Sequence, residues 1–329
     1  MGAVTETTTA TGKANQDVFS ITLQELAETD KQIIAVTSDS RGSGKLVAFG
    51  ERFPEQIVEI GIAEQNLVGV AAGLASAGKK AFAVSPACFL TARALEQIKN
   101  DVAYSDNPVK LVGISAGVSY GALGTTHHSL HDFAVLRAIN NITIVAPADN
   151  FETEQAVRLA AQMNKPVYLR FGKKPMPLLN PDETEPFKFG KGRIIKRGAD
   201  IAIIANGETV YPALLAAQQL EAEHGIAATV ISMHTIKPLD TVLLGRIANA
   251  VKAVITVEEH FIYGGLGEAC ASYLLQRGYN KPFKIMGIPD EYTVTGSQVE
   301  ILNHYGISQK GIAEEALLLL KNKIKRAFL

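Results

Sequence analysis

The sequence predicts an α/β protein of two domains, each built on a largely parallel β-sheet with helices on both faces. Three observations carry this expectation. Short apolar runs rich in β-branched residues alternate with helix-length stretches, a proline-rich segment then interrupts the alternation, and a second, smaller βα series follows it. The expected strands of the first series are IIAVTS after Gln32, QIVEIG from Gln56, AFAVSP after Lys80, KLVGISA from Lys110, ITIVAP after Asn141 and PVYLRF after Lys165. From Gly172 to Gly190 the chain carries Pro175, Pro177, Pro181 and Pro186. Prolines so close together forbid a regular helix or a central strand, so residues 173–190 read as a linker. Beyond it come ADIAIIAN, a helix from Tyr211 to His224, AATVISM, AVITVEEH, and a glycine-rich turn leading into a helix. The expected organisation is a loose leader over 1–12, a first domain over 13–172, the linker over 173–190 and a second domain over 191–329.

The leader, MGAVTETTTATG, lacks the basic-then-apolar order of a secretion signal, and Glu6 stands where myristoylation requires Ser or Thr. With 32 basic and 33 acidic side chains the formal charge is −1. That balance, without a basic patch, argues against a nucleic-acid partner. No run approaches the roughly 18 apolar residues of a spanning helix, so no membrane segment is expected. The basic tail KNKIKRAFL has few hydrophobic anchors and reads as a solvated helix end. Cys88 and Cys270 are the two cysteines, far apart and outside any CxxC pair. Reduced thiols in a cytoplasmic protein are the expectation, with neither a disulfide framework nor a zinc ribbon.

Four segments contain candidate chemistry. In EIGIAEQNLVGVAAGLASAG, Glu64 falls in the first turn of a helix made mostly of small and apolar residues. A carboxylate there complements the helix dipole. Gly69 with Gly73, and Ala71 with Ala75, suggest close approach to another backbone, and a carboxyl group buried in such a place can share a proton with a partner. Phe89, at a strand-to-helix turn, is either a stacking platform or ordinary core, and the adjacent Cys88 reads as a small buried residue. GALGTTHHSLHDF brings His127, His128, His131 and Asp132 together. His127 and His131 are spaced for one helical face and hence a metal, but a glycine-rich loop leading into histidines suits substrate contact equally, and HExxH is absent. GSGK at residues 42–45 is not a phosphate loop, because Asp39 stands at its first glycine position and Leu46 replaces the hydroxyl residue.

Taken in order, IVEIGIAEQNLVGVAAGLASAGKKAFAVSPACFLTARALEQIKNDVA, GALGTTHH and IVAPADNFETEQAV resemble the pyrimidine-binding domain of the transketolase family of thiamine-diphosphate enzymes. ISMHTIKPLD and TVEEHFIYGGLGEA resemble its C-terminal domain, and the resemblance covers about residues 13–329. It implies a pyrimidine-binding parallel-sheet sandwich followed by the smaller transketolase C-terminal α/β domain. The sequence has no GDG motif, which in the family begins the diphosphate and magnesium site, and its length is about half that of a full transketolase. The resemblance is therefore to the C-terminal subunit of a split transketolase. It implies an N-terminal partner supplying the Mg2+ ligands, an α2β2 assembly, and no metal ligand in this chain.

Carried over position by position, the resemblance makes Glu64 the carboxyl group that hydrogen-bonds N1' of the aminopyrimidine and Phe89 the ring that stacks on it. His127 becomes the substrate-side histidine, and Ser43 and Arg170 the ligands of a distal phosphate. Gly12, Ser115 and Leu123 depart from the usual pattern, replacing an arginine, a histidine and an aspartate, although Lys13 and Arg41 stand nearby. These departures point to an unusual ketose donor, such as apulose 4-phosphate or a sulfosugar. The alternatives are a decarboxylating enzyme, like the β subunit of a 2-oxoacid dehydrogenase or deoxyxylulose-phosphate synthase, and a non-catalytic assembly partner.

Overall fold

The computed structural model describes residues 10–179 and 186–326, with side chains to residue 321. The segment 1–9, Pro181 of the linker and nearly all of the basic tail's side chains lie outside the described residues. The strands, in chain order, are β1 (Thr11–Ala14), β2 (Ile33–Thr37), β3 (Ile57–Glu59), β4 (Lys80–Pro86), β5 (Lys110–Ile114), β6 (Thr143–Val145), β7 (Val167–Arg170), β8 (Pro175–Pro177), β9 (Arg193–Lys196), β10 (Ile201–Ala205), β11 (Ala228–Ser232), β12 (Thr235–Lys237), β13 (Ala253–Phe261) and β14 (Phe283–Ile288).

Strands β2 to β7 form a sheet in the order β12-β6-β7-β5-β4-β2-β3, parallel throughout except for β12. Its strands are apolar at nearly every position because both faces are covered. Ile34 and Val36 of β2 pack into one core with Ala81 and Ala83 of β4, while Ile33 and Ala35 pack into the opposite core with Phe82 and Val84. That two-sided alternation is what the side-chain period of a strand dictates in a doubly covered sheet. The helix Glu64–Ser76 covers the first face, and the helices Asn15–Thr29 and Asn150–Gln162 cover the second. Asp149 caps the last of these, accepting from the Glu152 N–H at 2.8 Å.

The second sheet has the order β14-β13-β10-β11-β9, parallel except at β9. It repeats the logic, with Ile201 and Ile203 on one core and Ala202 and Ile204 on the other. The α/β architecture with parallel sheets is thus as the alternation of the sequence predicts.

Two features join the domains more closely than a bare linker does. β12, from the second half of the chain, crosses to become the edge strand of the first sheet. β8, inside the proline-rich stretch, pairs antiparallel with β1, so that Thr11 lies opposite Pro177 and Ala14 opposite Pro175. Pairing confined to a two-stranded edge ribbon is what prolines tolerate. It also ties Thr11 and Gly12, which the sequence places in a loose leader, to the body of the first domain. No helix among the described residues is long and apolar enough to cross a membrane.

Candidate active site

The site gathers where strands of the first sheet end and helices begin. After β3 the chain turns at Gly61, whose φ of +80° lies in the left-handed region, and enters the helix that starts at Glu64. Glu64 is 4% exposed although it stands at a helix start, with both carboxylate oxygens taken by one guanidinium: Arg93 Nη1 lies 2.9 Å from Oε1 and 3.0 Å from Oε2. Arg93 closes the short helix Ala87–Arg93 that follows β4. One turn earlier on that helix is Phe89, and the Arg93 guanidinium sits 4.2 Å from its ring centroid. The Phe89 ring also meets His127 edge-on, with centroids 5.3 Å apart and planes at 72°. His127 makes the same kind of contact with Tyr120 at 5.5 Å, and Lys173 Nζ lies 5.0 Å from the Tyr120 ring. Glu64, Arg93, Phe89, His127, Tyr120 and Lys173 therefore form one continuous line.

Two cavities open along this line, with Arg93 bordering both. The first, about 630 Å³, is bounded by residues 62–66 and Arg93. The second, about 420 Å³, is lined by Cys88, Phe89, Thr125, His131 and, from β13 of the second domain, Phe261. His127 Nδ1 lies 3.0 Å from the Thr126 hydroxyl, leaving Nε2 without a partner among the described residues. Burial pushes the Cys88 thiol up to about 11, so it is no nucleophile at neutral pH.

Helix begins only at Asp132, so His127 and His131 share no helical face, and the described residues hold no cluster of three metal-ligating groups. His128 is buried and occupied at both nitrogens, Nδ1 by the Thr293 hydroxyl at 2.8 Å and Nε2 by the Gly121 carbonyl at 2.9 Å. It holds the histidine loop to the second domain, and burial lowers its pKa.

Ser43 and Arg170 stand apart from the line. Ser43 is exposed in a turn over residues 41–45 and lines neither cavity. Arg170 is buried, and its Nε and Nη2 donors are spent inside the protein. Nε donates to Asp132 Oδ2 at 2.9 Å, Nη2 to the Glu259 carbonyl at 2.8 Å and the Ser129 carbonyl at 3.3 Å, and Nη1 lies 3.9 Å from Glu259 Oε2. Tyr168 donates to the same Asp132 oxygen at 2.7 Å. Burial works to raise the Asp132 pKa, but the Arg170 charge and its neighbours hold it below the usual carboxylate range. This guanidinium joins the domains, and a substrate anion would share it with Asp132 and Glu259.

The seam around Arg170 is tightly fitted. Glu259 accepts from Val118 N and from Gln298 Nε2, both at 2.9 Å, and its carboxyl presses on Gly117, where a Cβ would come within 2.2 Å. Glu208 presses likewise on Gly172, at 1.4 Å from a would-be Cβ. Burial, together with the charge of Glu259, pushes Glu208 up to about 8.

At the three departures from the common pattern, Leu123 is exposed and Ser115 is fully buried with φ +51°. A Cβ at Gly12 would come within 2.2 Å of Asn150 Oδ1, so a side chain there would require Asn150, whose Oδ1 accepts from Lys13 N, to move.

Comparison with known proteins gives a consistent placement. Residues 11–177 match the family described as transketolase, pyrimidine binding domain, and residues 190–312 match transketolase, C-terminal domain. The chain is 48% identical over 303 residues to one of the subunits of the apulose-4-phosphate transketolase of Phocaeicola vulgatus, covering 92% of this chain and 96% of that one. It is 36% identical to the 1-deoxy-D-xylulose-5-phosphate synthase of Acidovorax ebreus, covering 90% of this chain but only 46% of the synthase. Among solved structures, a split-gene transketolase described as an inactive β4 tetramer superposes with a TM-score of 0.83 at 35% identity, over 94% of this chain and 99% of that one.

Proposed function

Because this chain belongs to the transketolase family, as a C-terminal subunit of the two-chain kind, we propose that it supplies the pyrimidine half of a thiamine diphosphate site. With a separate N-terminal subunit that contributes the diphosphate and Mg2+ ligands, it completes a glycolaldehyde transferase. The observation that carries this reading is the line from Glu64 to His127, in which a buried carboxylate and a half-buried aromatic ring border two cavities that share Arg93, and a histidine with one free nitrogen meets that ring edge-on. These residues fit an aminopyrimidine, which offers a flat face to Phe89 and polar ring atoms to Glu64. Bound there, thiamine diphosphate supplies the electron sink for breaking a carbon–carbon bond beside a carbonyl.

This chain's own groups orient and exchange protons. Glu64, shielded from water, holds a proton against a ring nitrogen, and His127 Nε2 donates to or accepts from a substrate oxygen. Arg93 is the element that sequence reasoning lacked. Its flat, cationic guanidinium lies on the Phe89 ring and pairs with both Glu64 oxygens, so it occupies both contacts assigned to the pyrimidine. It is a placeholder that must give way before the cofactor binds, and its 49% side-chain exposure leaves it room to do so. Lys173, beside the Tyr120 ring, takes the distal-anion role that the family pattern suggests for Arg170. The face of the Glu64 helix at Gly69 and Gly73, where a Cβ would meet nothing within 4 Å, packs against another subunit in an α2β2 assembly.

The donor we propose is a branched ketose phosphate of the apulose 4-phosphate kind, supported by the 48% and 41% identity to the corresponding chains of two apulose-4-phosphate transketolases. The test is reconstitution with the N-terminal subunit, thiamine diphosphate and Mg2+, followed by assay of ketol transfer from apulose 4-phosphate to an aldose phosphate. Carbon dioxide release from pyruvate without ketol transfer would instead establish the synthase-like reading that the 36–38% identity to deoxyxylulose-phosphate synthases keeps open.

A further inference from the structure

A depression of about 440 Å³ lies on the second domain, between the start of β9, the segment leading into it and the helix Thr241–Ala250. Five cationic side chains line it, Lys188, Lys191, Arg193, Arg197 and Arg246, against a single carboxylate, Asp240. That carboxylate is already committed. Oδ1 caps the helix by accepting from Leu243 N at 3.0 Å, and Oδ2 accepts from Gly192 N at 3.1 Å. Lys191 Nζ is 4.0 Å from it, a loose ion pair. Arg193 is buried, with Nη1 3.3 Å from Glu152 and the guanidinium 4.6 Å from the Phe151 ring, while its buried Nη2 has no hydrogen-bond partner. Lys188, Arg197 and Arg246 have no ion-pair partner among the described residues.

In a chain whose formal charge is −1, five cations around one depression are a local concentration that whole-chain arithmetic hides. Like charges this close repel, and a bound anion relieves the repulsion while its field is focused by the low-dielectric walls. Guanidinium groups add planar forks matched to phosphate oxygens. The same depression has an apolar side, formed by Ile194, Leu243 and the exposed Val242, against which an uncharged ring can rest. A compact hollow suits a small molecule, whereas an extended polymer calls for a basic stripe.

We propose that this depression binds a small phosphorylated metabolite carrying at least two phosphate charges and an apolar ring, a nucleoside diphosphate being the simplest of that class. None of its residues lines the cavities beside Glu64 and Phe89, so the site stands apart from the one above and does not depend on its chemistry.

The test is calorimetric titration of the full chain with ADP, pyrophosphate and sulfate. ADP binds with a Kd below about 1 mM, more tightly than pyrophosphate, and both bind more tightly than sulfate. The double variant R197A/R246A weakens ADP at least about tenfold, whereas K310A, which removes an exposed cation elsewhere, leaves it unchanged. Both altered side chains are exposed, so circular dichroism and Tm of the double variant stay at wild-type values, and lost binding is then not lost fold. The proposal is overturned if neither ADP nor pyrophosphate binds, if sulfate binds as well as ADP, or if R197A/R246A has no effect. Tighter capture of an oligonucleotide of equal charge also overturns it, by making the hollow a polymer site. So does binding that appears only after D182N/E183Q/E185Q, which would assign the hollow to the chain's own acidic stretch.

Discussion

Replacing Glu64 by glutamine separates what this carboxylate does for the fold from what it does for the reaction. Gln keeps the length and volume of the side chain, so no cavity opens in the first turn of its helix. What disappears is the charge in the pair with Arg93, whose Nη1 is shared between the two carboxylate oxygens at 2.9 and 3.0 Å. Arg93 is half exposed, so solvent screens the pair, and its loss costs about 0.5–1 kcal/mol of folding stability. For a domain of this size that is a Tm decrease of about 1–4 °C. Loss of a proton-sharing group lowers the rate at least about 100-fold, equivalent to about 2.7 kcal/mol on the barrier. The assay is ketol transfer by the complex reconstituted with the N-terminal subunit, run beside thermal denaturation of the same preparations. The expected signature is a rate lowered by two orders of magnitude in a protein that melts within a few degrees of wild type. Activity within about threefold of wild type would remove Glu64 from the chemistry. A fall in activity matched by a large fall in Tm would reduce its role to holding the helix start.

Four further predictions follow from the same geometry. Arg93→Met removes the placeholder, and because a half-exposed ion pair is worth up to about 1 kcal/mol, the apparent Kd for thiamine diphosphate falls as much as about fivefold; weaker binding, read by cofactor titration, would make Arg93 a ligand instead. Lys173→Ala raises KM for a phosphorylated substrate by about tenfold with kcat preserved, whereas Arg170→Gln breaks the buried seam to Asp132 and Glu259 and shows itself first as a lower Tm; a selective KM effect at Arg170 would restore it to the substrate site. Gly117→Ala places a side chain at φ +63° and drives it into the Glu259 carboxyl, lowering stability by at least about 2 kcal/mol in denaturant titration. Glu208, pushed up to about 8 in the fold against 4.5 for the free group, contributes stability that is intact below pH 4.5 and is lost as pH rises towards 8. The Glu208→Gln variant therefore has a flatter Tm profile from pH 5 to 9 than wild type, and parallel profiles would contradict the assignment.

Much of this protein was legible before any coordinates. The six expected strands of the first sheet are found as strands because β-branched apolar runs buried on both faces allow few other structures. Glu64 at a helix start and Phe89 just after a strand were both readable from local pattern. The pairing of Arg93 with Glu64 and that of Lys173 with Tyr120 were not, because each is a contact between separate chain segments with no sequence spacing to announce it, whereas the four-residue spacing of Phe89 and Arg93 was a signal that could have been read. Arg170 shows the reverse. Position in a family pattern pointed it at a substrate phosphate, but only the packing of β7 against Asp132 and β13 reveals that its Nε and Nη2 already bond across the domain seam.

The sequence by itself determined the class of fold, the family to which the motifs belong, and the neutral overall charge. Periodicity and ordered motifs are local properties, so they survive without three-dimensional knowledge. The tertiary structure decided how the two domains are joined, through a strand of one edging the sheet of the other and through glutamates seated against glycines. It also decided which cation meets Glu64, and where in a nearly uncharged chain five positive side chains gather around one hollow. These are questions of proximity between distant segments, and a sum over residues or a pattern along the chain does not contain the distances that answer them.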